Sequence, residues 1–135
     1  QDKWGRTALL LACRRMHLEI ADMLKDAGAN LDTQDKDGKT ALMYACNRGY
    51  CEKFYLKIAT LLKNAGANLN IKDINGNTAL MIACDYNNLE MVKLLKNAGA
   101  NLDTQNKWQK TALMTACYYG HRRVCSLALF GDISN

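Results

Sequence analysis

Asp35-Lys36-Asp37-Gly38-Lys39-Thr40-Ala41-Leu42 reads as a turn that runs straight into a helix start, and its parts return along the chain at fixed intervals. Thr-Ala-Leu begins at Thr7, Thr40, Thr78 and Thr111, and Ala-Gly-Ala-Asn begins at Ala27, Ala65 and Ala98. The period is 33 residues, with one interval of 38. Self-similarity at such a period marks a stacked array, in which each unit buries its apolar face only against its neighbours. Ordering one unit costs about 50 kcal/mol at about 1.5 per residue, so about 2,000 Å² of apolar burial must offset it. Much of that area has to come from the next unit.

Within a unit, Thr7 to Arg15 reads as a short helix with Thr7 as its N-cap, because a threonine hydroxyl accepts from an orphan N–H of the first turn. Ala8, Leu9 and Ala12 line one side of it. Leu18 to Asp26 reads as a second helix with an apolar stripe of Leu18, Ile20, Ala21, Met23 and Leu24. Gly28 stops it in the left-handed conformation that glycine adopts at little cost, and Gly66 and Gly99 recur in phase. Asp35 to Gly38 and Asp73-Ile74-Asn75-Gly76 predict hairpin-type turns.

Helix, turn, helix and hairpin at this period resemble the ankyrin repeat family over nearly the whole chain. The resemblance rests on Asp35 to Leu42, on His17-Leu18-Glu19-Ile20 and on Ala27-Gly28-Ala29-Asn30. The family's Thr-Pro-Leu-His signature is altered: alanine replaces its proline, and Leu10, Met43, Met81 and Met114 replace its histidine. An apolar side chain at that place is expected to pack. The resemblance implies an all-α repeat solenoid: a single domain over 1–135, with units at about 2–34, 35–72, 73–105 and 106–135.

Three departures stand out. The second unit carries five extra residues, near Lys53 to Lys57. They lengthen the second helix or the turn before it, or they form a binding protrusion bearing Tyr50, Phe54 and Tyr55. In the fourth unit, Gln109 replaces the turn glycine, one helix residue is missing, and the end is Phe130-Gly131-Asp132; such degeneration suits a terminal capping unit. The first unit begins without a polar cap, so some of Leu10, Leu11, Ile20 and Leu24 are expected to meet water. The chain is accordingly expected to be a fragment of a longer array.

The 135 residues carry a net charge of +5, with a pI of about 8.9, and no stretch approaches the roughly 20 apolar residues that span a bilayer. Cys13, Cys46, Cys84 and Cys117 are one structural position copied in each unit, spaced too far apart along the stack for disulfides and suited to tight helix contacts. Free thiols in this number fit a reducing compartment, so an intracellular, cytoplasmic location is expected. Neither a phosphate loop, a nucleophile elbow nor a metal signature occurs. Cys13 with His17 and Cys117 with His121 each straddle an interhelical turn, and the pair Asp35 and Asp37 sits in a hairpin. No enzyme, cofactor or metal is expected, and no catalytic residue is assigned.

The family resemblance implies protein binding through hairpin tips and first-helix surfaces. Carried over by position, it selects Lys3, Trp4, Arg6, Arg14 and Arg15 in unit one, and Lys36, Asp37, Lys39, Asn47 and Arg48 in unit two. Unit three supplies Ile74, Asn75, Asn77, Asp85 and Tyr86, and unit four Lys107, Trp108, Lys110, Tyr118 and Tyr119. These positions hold nine of the 18 basic residues but only two of the 13 acidic ones, with five of the ten aromatics. Solubilising charge on exposed tips, with the tryptophans packed on neighbouring hairpins, is one reading. The other is a scaffold that binds an acidic partner segment through Lys3, Trp4, Arg6, Arg14, Arg15, Lys36, Lys39, Arg48, Tyr86, Lys107, Trp108, Lys110, Tyr118 and Tyr119, since Trp, Tyr and Arg dominate interface hot spots. Single-stranded nucleic-acid binding and the targeting part of a larger enzyme are the alternatives.

Overall fold

The threonine of every Thr-Ala-Leu run caps a helix. Thr7, Thr40, Thr78 and Thr111 take extended backbone, and their hydroxyls accept from the N–H groups of Leu10, Met43, Met81 and Met114. The computed structural model describes residues 1–47 and 52–130. Its helices are α1 (Ala8–Arg14), α2 (Leu18–Asp26), α3 (Ala41–Cys46), α4 (Glu52–Asn64), α5 (Ala79–Asp85), α6 (Leu89–Asn97), α7 (Ala112–Tyr118) and α8 (Arg122–Phe130). No strand occurs among the described residues.

The helices form two layers. Odd-numbered helices contact one another in the order α1, α3, α5, α7, even-numbered ones in the order α2, α4, α6, α8, and each pair packs within itself. The core between the layers holds Leu9, Leu42 and Leu80 with Cys13, Cys46 and Cys84 from the first layer, and Ile58, Leu62, Met91, Leu95 and Val124 from the second. Small residues let the first helices approach: Ala12, Ala45, Ala83 and Ala116 are all buried. Gly28, Gly66 and Gly99 follow the second helices with φ of 85, 89 and 90°.

The turns stack as a ladder of tips. The Asp35 carboxylate accepts from the N–H groups of Asp37 and Lys39, and Asp2, Asp73 and Asn106 repeat the pattern. Each tip donates to the one before it: Lys36 N to Trp4 O at 2.9 Å, Ile74 N to Asp37 O at 3.1 Å, Lys107 N to Asn75 O at 3.1 Å. Gly38 (φ 74°) serves twice in this ladder. A Cβ there would sit in a left-handed conformation and 2.8 Å from the Ile74 nitrogen. Gln109 keeps the same turn at φ 60°, and no later tip presses on it among the described residues.

Several expectations are corrected. Leu10 is buried, whereas Ile20 of the same expected set is exposed, together with Met23, and Leu11 and Leu24 are partly covered. Met43 and Met81 pack as expected, but Met114 is half-exposed on α7, the last described helix of its layer. The α8 helix is described over nine residues, the same length as α2 and α6. The five-residue insertion lies in part in α4, whose 13 residues exceed the nine of α2 and α6. Tyr50, Gly131 and Asp132 lie outside the described residues.

Candidate partner-binding face

The odd helices and tips share one side of the layer pair, because a tip leads directly into each Thr-capped helix. This places most of the selected side chains along grooves between successive units. The first groove, of about 620 Å³, is lined by Trp4, Arg6, Arg14, Lys36 and Lys39 with Asp35, Asp37, Tyr44, Asn47 and Tyr55. The last, of about 320 Å³, is lined by Trp108, Lys110, Tyr118 and Tyr119 over Met81, Ile82 and Thr115. Between them lies a smaller cleft bounded by Tyr86 and Lys39, with Tyr44, Asp73 and Asp85.

Both tryptophans stay in water. Trp4 is 51% exposed and Trp108 57%, so neither packs away on a neighbouring hairpin. Each has a cation against its ring: Lys3 Nζ at 4.2 Å and Arg6 Cζ at 4.3 Å for Trp4, Lys107 Nζ at 5.3 Å for Trp108. Lys110 Nζ lies 4.1 Å from the Tyr118 ring. Tyr118 and Tyr119 meet edge to face at 5.0 Å, and His121 stacks on Tyr119 at 5.8 Å while its Nε2 reaches the Asp85 carbonyl of the previous unit. The Asp85 carboxylate holds the Tyr119 phenol above its ordinary pKa.

The positive charges are not equivalent. Arg6 is paired with Asp2 at 2.7 Å, and its guanidinium pulls the Asp2 carboxyl down to about 2. Among the described residues no ion pair holds Lys3, Arg14, Arg15, Lys36, Lys107 or Lys110. The cationic character is also interrupted at unit three, where the selected positions hold Ile74, Asn75, Asn77, Asp85 and Tyr86, without a lysine or arginine. Arg15 lies exposed at the C-cap of α1 and lines neither groove. Arg48 lies outside the described residues.

Tyr44 and Tyr55 are groove residues that the positional carry-over omits. The Tyr44 hydroxyl donates to the Asp35 carboxylate, and burial together with that bond pushes its phenol up to about 12. Asp35 is therefore a braced turn residue and not a freely solvated one. Arg14 Cζ and Lys39 Nζ stand 5.8 and 5.9 Å from the Tyr44 ring. Sequence spacing could have found it, since Tyr44 lies one helical turn, three residues, before the selected Asn47. Tyr55 comes from the lengthened α4, and its hydroxyl reaches the Arg14 carbonyl at 3.5 Å. The insertion thus both extends a helix and adds a ring to the groove.

No group of three or more His, Cys, Asp or Glu side chains suited to a metal occurs among the described residues, and no described helix is long and apolar enough to cross a membrane. A family model described as ankyrin repeats (3 copies) matches residues 1–73 and again 50–134. No curated protein matches the chain.

Proposed function

Since the chain belongs to the ankyrin repeat family, whose members are generally protein–protein interaction modules, we propose that it binds an acidic protein segment along the two grooves. The observation that carries this reading is the pair of half-exposed tip tryptophans, each with a lysine ammonium on its ring. An exposed indole is costly to leave in water, and a cation beside it offers a carboxylate a partner at the rim of the same contact. The first groove supplies Arg14, Lys36 and Lys39 for acidic side chains. The last supplies Trp108, Tyr118 and Tyr119 as a platform for an aromatic or aliphatic anchor. A face of this kind recognises its partner by charge steering followed by ring burial and needs no catalysis.

The test is selection from a displayed library of random peptides on the immobilised chain, followed by titration of the winners. Peptides pairing Asp or Glu with an aromatic or aliphatic residue are expected, with affinity falling as salt rises. Winners without acidic residues, or winners that bind a Trp4→Ala, Trp108→Ala double variant unchanged, overturn the reading. So does tighter binding of mixed single-stranded DNA at the same ionic strength.

A further inference from the structure

Cys117 breaks the pattern of its own repeat position. Cys13, Cys46 and Cys84 are buried, and burial pushes their thiols up, Cys13 and Cys84 to about 12. Cys117 is exposed near the C-terminal end of α7, the last described helix of its layer, and its Sγ lies 3.1 Å from Sγ of Cys125 on α8. Cys125 has no cysteine counterpart in the other second helices: the equivalent positions are Ala21, Ala59 and Val92. The contact is therefore peculiar to the last helix pair.

We propose that Cys117 and Cys125 are a thiol–disulfide modification site, oxidised by a low-molecular-weight disulfide. Two sulfurs already in contact need to approach by only about 1 Å to reach bonding distance, a shift that small side-chain rotations supply. Accessibility sets the order of events. The Cys117 thiolate attacks one sulfur of the reagent, forming a mixed disulfide, and the departing thiolate takes up the proton that Cys117 lost. Cys125 then gives up its proton and attacks Sγ of Cys117, forming the internal bond and releasing the second reagent thiol. Two protein thiols are oxidised and one reagent disulfide is reduced to two thiols, with no other oxidant involved. While both thiols are reduced, burial and the hydrogen bond with Cys117 hold the Cys125 thiol up at about 11, so alkaline pH favours the closing step.

The bond would close a loop over residues 118–124, seven residues that include Tyr118, Tyr119 and His121. Oxidation would thus pin the turn that carries the aromatic end of the face. The site does not depend on the partner-binding reading, because it rests on two sulfurs and their helices alone.

The experiment treats the full chain with oxidised glutathione at mildly alkaline pH, blocks remaining thiols with acid-quenched alkylation, and maps bonds after tryptic cleavage. Cleavage after Lys110, Arg122 and Arg123 separates the two cysteines, so the bond appears as peptide 111–122 linked to peptide 124–135. That linked species is expected to dominate, to raise Tm by about 5 to 10 °C, and to vanish with dithiothreitol. In a Cys125→Ser chain the reaction is expected to stop with one glutathione on Cys117. In Cys117→Ser, oxidant is expected to leave Tm unchanged. A wild-type chain that keeps glutathione on Cys117 without closing the bond overturns the proposal, as does a dominant link to Cys51 or Cys84.

Discussion

The first and last grooves are built from equivalent positions of the repeat, yet they hold their charge differently. In the first tip Asp2 grips Arg6, and in the second Asp35 binds Tyr44, so part of the basic surface is engaged with its own scaffold. In the last tip the same turn position is Asn106, whose side-chain oxygen accepts from Trp108 and Lys110 without adding a negative charge. The turn keeps its hydrogen bonds while Lys107 and Lys110 stand beside Trp108 and Tyr118 with no carboxylate in their own turn position. One substitution of amide for carboxylate thus leaves the geometry alone and changes the electrostatics. A repeat scaffold allows this because turn-forming bonds need an oxygen and not an ion.

The largest effect tests whether the two grooves depend on one ladder. Gly38→Ala places a Cβ in a left-handed turn and against the Ile74 nitrogen, and is expected to lower the unfolding free energy by about 2 to 4 kcal/mol in denaturant titration. Gln109→Gly, at the tip with no described successor, is expected to raise it by about 1 kcal/mol. Equal and opposite shifts would mean that only backbone conformation matters at these tips.

Next comes the balance between the grooves in binding. Against a selected acidic peptide, Trp108→Ala is expected to weaken affinity by about 2 kcal/mol, with little change in salt dependence. The pair Arg14→Ala and Lys36→Ala is expected to weaken it by about 1 kcal/mol and to flatten its salt dependence. Titration calorimetry at two ionic strengths checks both, and an exchange of the two patterns would reverse the assignment of anchor and steering halves.

The smallest effect concerns pH. The folded Asp2 carboxyl lies at about 2, below its ordinary 3.8, so its pairing with Arg6 contributes stability above the unfolded value. That contribution is lost as pH falls through the window from about 4 to about 2. Thermal melts of Asp2→Asn should fall less steeply over this window than those of the wild type. Since the pair is exposed, the difference is expected to be a small fraction of the whole acid dependence.

Helix caps, turn glycines and the layer of alanines were legible because each is a local rule copied down the chain. Thr40 caps α3 by the chemistry of its own hydroxyl, and Gly28 ends α2 through its own backbone freedom. The tips could be located for the same reason, which put Trp4 and Trp108 at tips in advance but left open whether they packed on the neighbouring hairpin. Tyr44 and the pairing of Arg6 with Asp2 were not read, although both obey helical or turn spacing, and Tyr55 was read only as one ring of a possible protrusion. Repeat matching compares like positions between units, and these contacts join unlike ones.

The sequence by itself determined the array, since a period with caps and stops at fixed offsets leaves few ways to bury an apolar face that no single unit can cover alone. Only the tertiary structure decided which copies of one position differ in fate. Cys84 is covered by the following helix pair, and Cys117 lies exposed in the last described one against Cys125. Burial in a stack belongs to the neighbour as much as to the residue, and no unit carries that information in its own sequence.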